Sequence, residues 1–131
     1  MTKINFINKV SVVFNEKAAQ KTICDTLKKL GLKNNFIVEV LLVDDEEIKD
    51  LNKTYRKINK ATDVLSFPQT QIELSKINIL GSIVICPKVA EEREEELDEL
   101  IKHGLLHLAG LDHESDQKEW NKAAKIVNHK L

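Results

Sequence analysis

The chain has 131 residues, 42% hydrophobic and 31% charged. That size suits one domain of about 100–150 residues, and the composition excludes intrinsic disorder. Such a chain buries roughly two-thirds of its unfolded surface, so folding needs no disulfide or metal staple. No apolar run approaches the roughly 18–20 residues of a membrane span, and the opening MTKINFINKV alternates apolar and polar residues where a signal peptide would be unbroken. A cytoplasmic single domain over residues 1–131, with no membrane partner, is expected. Cys24 and Cys86 have no CxxC partner and are expected to be free thiols. The net charge of −1 is unevenly spread: EEREEELDE at 91–99 carries −6, leaving +5 on the rest. Lys53, Arg56, Lys57 and Lys60 gather beside Tyr55, either as a solvated face or as a surface for a polyanion. Arg56 and Arg93 are the only arginines against eighteen lysines, so Arg56 is a place where a planar, bidentate guanidinium would matter.

Elements follow from periodicity. Residues 3–7 (KINFI) alternate as a strand. Asn15 is placed to cap a helix with Ala19, Ile23, Leu27 and Leu30 on its inner face and Gly31 as its stop. Residues 36–43 (FIVEVLLV) are nearly all apolar and predict a central strand covered on both faces. Asp44 caps a short helix over 45–55 with Ile48, Leu51 and Tyr55 inward. Strands are expected at 61–68 (ATDVLSFP) and 79–86 (ILGSIVIC), with Pro87 at the first position of a helix. From Lys88 to Ala109 one long helix or two with a break would fit, and the acidic run favours the break. Gly110 ends the helical pattern, and Ser115 starts a last helix carrying Trp120, Ala123, Ala124 and Val127. Strands and helices without strict alternation predict an α+β fold with a mixed sheet of about four strands.

Three of the four histidines lie in HGLLHLAGLDH, residues 103–113. His103 and His107 fall one helical turn apart on one face. Gly110 permits the left-handed turn that brings His113 back to the same point. Three neutral imidazoles with a fourth position open form the catalytic kind of zinc site, with Zn–N distances of about 2.0–2.1 Å. His129 stands near the C-terminus, where it is expected to fray outside the site. The spacing matches the metzincin protease signature HExxHxxGxxH except at Gly104, where those enzymes place the Glu that serves as general base. A glycine inside a helix costs about 1 kcal/mol relative to Ala, so a close approach of substrate or backbone at Gly104 is expected. Without that Glu a zinc peptidase becomes the second choice, and a phosphodiester substrate fits better. Zinc acts as a Lewis acid on phosphoryl oxygens and brings the pKa of water to about 7, while Arg56 can meet the charge that develops. Asp112, next to His113, would either accept from a ligand imidazole or cap the turn.

With these residues in view, the chain resembles the YbeY family of bacterial endoribonucleases. The resemblance rests on HGLLHLAGLDH (103–113), YRKINKATDVLSFP (55–68) and LGSIVICP (80–87). It implies a zincin-like α+β fold whose metal-binding helix ends at Gly110. It implies one zinc held by His103, His107 and His113, with Arg56 the catalytic arginine of the cleft; His103 is expected to share in catalysis, and the charge cluster of Lys53, Lys57 and Lys60 to bind RNA. Single-stranded RNA and ribosomal RNA would be the substrates, small ribosomal subunit proteins the further partners, and no small-molecule cofactor is implied. The cellular roles implied are maturation of ribosomal RNA, notably the small-subunit 3′ end, and ribosome quality control. A ribosome-associated RNA-binding module with a mainly structural zinc is the alternative outside enzymes. Two departures stand out: Ser82 where the family usually has Asp, and a shorter span from Cys86 to His103.

Overall fold

The computed structural model describes residues 2–32, 36–69 and 78–130. In chain order these form β1 (Lys3–Asn8), α1 (Glu16–Lys29), β2 (Phe36–Leu42), α2 (Asp45–Arg56), β3 (Val64–Pro68), β4 (Asn78–Ile85), α3 (Pro87–Glu92), α4 (Leu97–Leu108) and α5 (Gln117–Ile126). The expected mixed α+β architecture is present: the four strands make one sheet in the order β1-β2-β4-β3. β1, β2 and β4 run parallel, and β3 pairs antiparallel to β4. Among the described residues, no helix is long and apolar enough to cross a membrane. Cys24 is exposed and Cys86 buried, both as free thiols.

Local chemistry sets the helix starts. Asn15 Oδ1 accepts from Ala18 N at 3.0 Å and Asp44 Oδ1 from Glu47 N at 2.8 Å, each satisfying an otherwise orphaned amide. The last helix begins two residues later than expected. Asp116 caps it by accepting from Glu119 N at 3.2 Å, and its negative charge suits the helix N-terminus. The acidic run does break the helix, at 93–96. Glu94 adopts φ 55, and Glu95 N closes onto Ala90 O at 2.9 Å.

Phe36, Val38, Val40 and Leu42 of β2 point to one face and are buried against α1 and α4. The other face of β2 is only partly covered, contrary to the expected burial on both sides. Glu39 lies there, and Ser82 Oγ donates to its Oε1 at 3.3 Å. A register shift between Ile37 and Val38 makes room for an extra residue on β4. Leu80 and Ile83, three apart, therefore both join the core that the sheet shares with α1 and α4. Behind the sheet, Val43, Ile48, Leu65, Val84, Cys86 and Val89 form a second apolar layer under α2 and α3. Leu106 of α4 packs on Trp120, Ala123, Ala124 and Val127, which holds α5 against the helix that carries His103 and His107. Gly104 of α4 is buried against the sheet, where an added Cβ would lie 2.9 Å from Ile83 Cγ2. The close approach expected there is thus the Ile83 side chain of β4, neither substrate nor backbone.

Candidate metal centre

α4 points His103 and His107 to the same side, with their Nε2 atoms 3.2 Å apart. Gly110 takes φ 92, Gly110 N bonds His107 O, and Leu111 N bonds Leu106 O, both at 3.0 Å. This left-handed helix ending turns the chain so that His113 comes back over the other two. Its ring centroid is 5.5 Å from each, and ligand atoms of all three lie within 4.8 Å of one another. Asp112 holds the turn: its Oδ1 accepts from Glu114 N at 2.9 Å, the capping alternative of the two open to it. That bond keeps the Asp112 carboxyl below the usual range.

Hydrogen-bond direction tests whether a cation suits this cluster. His107 Nδ1 is 3.1 Å from Leu111 O. A carbonyl can only accept, so Nδ1 carries the proton and the neutral ring leaves Nε2 as a lone pair. Burial and the neighbouring imidazoles hold His103 down to about 4, and burial and His113 lower His107, so both rings are neutral at pH 7. Three ligands at about 2.0–2.1 Å in a tetrahedral arrangement lie about 3.3 Å apart, close to the observed His103–His107 edge. The residues fit a divalent cation with imidazole ligands.

One residue supports all three rings. The Trp120 indole is 4.9 Å from His103, 4.9 Å from His107 and 5.1 Å from His113, centroid to centroid. Sequence spacing marked Trp120 only as helix core. His129 is the larger correction. It does not fray: its side chain is 6% exposed and its Nε2 lies 3.3 Å from His103 Nδ1.

Two clefts, each of about 570 Å³, border the cluster and share His103 and His113 in their walls. The first is lined by Arg56, Ser66, Asp112 and all three histidines. Arg56 comes from the end of α2, and Lys53, Lys57 and Lys60 are exposed nearby without lining that cleft. The loop after α2 is pinned by buried Asn52, whose Nδ2 donates to Lys60 O at 2.9 Å. The second cleft has Glu95, Glu99, His103, His113 and His129 on its walls. Asp63, buried just before β3, lines both. Its carboxylate accepts from Val64 N at 2.8 Å and lies 3.4 Å from an Arg93 nitrogen. Asp63 stays below the usual range despite burial, because Glu95 and Arg93 face it. Glu95 is pushed up to about 7 by its hydrogen bond to Asp63 and by burial. Neither acid carried a spacing signal, since one precedes a strand and the other sits in a charge run.

A mixed four-stranded sheet with three imidazoles converging at the C-terminal end of one helix defines an α+β protein with a candidate metal centre. The family model described as Endoribonuclease YbeY matches residues 3–129. An Endoribonuclease YbeY of Aquifex aeolicus is 45% identical over 113 residues, covering 80% of this chain and 74% of the relative. One of Sulfurimonas denitrificans is 47% identical over 99 residues, covering 69% of each. A solution structure from Thermotoga maritima superposes with a TM-score of 0.55 at 29% identity, covering 98% of this chain and 87% of the other. The chain belongs to the YbeY endoribonuclease family.

Proposed function

We propose that the chain, as one domain over residues 1–131, is a zinc-dependent endoribonuclease specific for single-stranded RNA. On this reading it has a zincin-like arrangement and works in the cytoplasm. It would mature ribosomal RNA at the small-subunit 3′ end and act in ribosome quality control, with small ribosomal subunit proteins as partners. The observation that carries the reading is the pair of Nε2 atoms facing each other at 3.2 Å beside His113, in a chain whose relatives are named endoribonuclease.

When bound, the cation supplies Lewis acidity toward a phosphoryl oxygen and toward water. His103, His107 and His113 hold it. Arg56 presents its fork to the phosphoryl oxygens as charge builds there, from the same cleft that His103 and His107 line. Lys53, Lys57 and Lys60 track the RNA backbone outside that cleft. The peptidase reading loses support at Gly104: the position that carries a general base in metzincins is packed against Ile83. A chelator-sensitive time course of RNA cleavage, run with Arg56→Ala alongside, tests the proposal. The wild type should turn over only with metal, and Arg56→Ala should cut the single-turnover rate about 10²–10³-fold. Stoichiometric RNA binding without metal-dependent turnover would favour the binding-module reading and overturn this one.

A further inference from the structure

The C-terminal turn of α5 adds a fourth imidazole to the cluster. Asn128 takes φ 58, Asn128 N bonds Lys125 O at 3.3 Å, and His129 N bonds Ala124 O at 2.8 Å. Asn tolerates this left-handed position better than most side chains. The turn sends His129 back under α4 with its ring almost fully enclosed. A polar ring is costly to bury unless its nitrogens are satisfied, and both are. Nδ1 lies 3.0 Å from Glu99 Oε1, and Nε2 lies 3.3 Å from His103 Nδ1.

Directions follow from Glu99. Its carboxylate is also bonded by Lys130 N and by Lys102 Nζ, the latter at 3.3 Å. As an ionised carboxylate it can only accept, so His129 Nδ1 donates. A His129 ring with a single proton, on Nδ1, leaves Nε2 to accept from His103 Nδ1. His103 Nε2 is left as a lone pair aimed at His107 Nε2. We infer that Glu99 and His129 form a positioning relay, fixing the tautomer and ring orientation of His103 so that its Nε2 faces the cation. For His107 the same service comes from a main-chain carbonyl, Leu111 O. One ligand is thus oriented by backbone and the other by a side-chain pair that substitution can remove.

The inference rests on the metal reading of the three histidines, and its test separates the two. Long-range ¹H–¹⁵N spectra of the metal-free full chain should show His103 as the Nδ1–H tautomer. Zinc affinity, measured by chelator competition, should fall about 10–100-fold in His129→Phe, the usual loss when a ligand histidine loses its acceptor. His129→Gln, whose amide oxygen can accept from His103 Nδ1, should recover most of that loss. A wild type that binds no zinc overturns the metal reading, while the spectra still test the relay. An Nε2–H tautomer of His103 overturns the relay, as does equal zinc affinity of wild type and His129→Phe. If His129→Phe does not fold, the wild-type tautomer and His129→Gln decide: an Nδ1–H tautomer with affinity retained supports the relay, and either one missing refutes it.

Discussion

Gly104→Ala probes how closely α4 lies on the sheet, and hence how the paired histidines on it are placed. The new Cβ would fall 2.9 Å from Ile83 Cγ2, 3.0 Å from Cγ1 and 3.1 Å from Cδ1. Ile83 cannot retreat: it is 0% exposed and pairs with Val40 on one side and Ser66 on the other. Overpacking of this kind costs about 1–3 kcal/mol, and replacing a helical Gly by Ala returns about 1 kcal/mol. The net expectation is about 1 kcal/mol of destabilisation, or about 3–5 °C in Tm for a chain of this size. Melts should be run on the metal-free chain, because bound metal would raise Tm by mass action. In an Ile83→Ala background the clash is gone, and Gly104→Ala should stabilise by about 1 kcal/mol. The cycle therefore predicts a coupling of about 2 kcal/mol between residues 83 and 104, within the range for directly touching side chains. Zinc affinity of Gly104→Ala should fall as well, since His103 precedes the displaced residue and His107 follows one turn on. A stabilised single variant with no coupling would refute the close approach.

Further outcomes follow from the same geometry. The wild type should bind one zinc per chain; His103→Ala or His107→Ala should abolish tight binding, and the metal-free chain should stay folded at lower Tm. Glu95 is raised to about 7 from its ordinary 4.5, so its stabilising protonated form is fully present below about 4.5 and lost as pH rises through about 7. Melts at pH 5 and 8 should therefore fall more for the wild type than for Glu95→Gln, which keeps a donor to Asp63; parallel curves would refute the shared proton. Asp63 itself titrates below 3.8, outside that window. Lys57→Ala should weaken RNA binding modestly and flatten its salt dependence while leaving the cleavage step unchanged, in contrast to Arg56→Ala, and equal cleavage rates for the two would remove Arg56 from the reaction. No chelator-sensitive cleavage of casein should appear, and robust proteolysis would reinstate the peptidase reading.

The amino-acid sequence alone determined the elements whose cause is local. Alternation marked the first strand and apolar, β-rich runs the others, Asn15 and Asp44 marked two helix starts, and the acidic run marked the break before α4. The grouping of His103, His107 and His113 was equally legible, because helical period and one glycine turn act over a few residues. Three helices near the site end in the same left-handed turn, at Glu94, Gly110 and Asn128. Only the glycine announced itself. The other two fall on Glu94 and Asn128, residues that do not demand a positive φ, and each is closed by main-chain bonds back to its helix. Those two turns deliver Glu95 to Asp63 and His129 to His103, partners 32 and 26 residues apart in the chain. The partly covered face of β2 was hidden for a similar reason, since whether Glu39 meets a helix or Ser82 depends on how the strands are ordered. Periodicity reports which residues share a face. What lies against that face, and therefore which nitrogen of His103 holds its proton, was decided by tertiary contacts, because a hydrogen bond depends on both partners and the sequence places only one at a time.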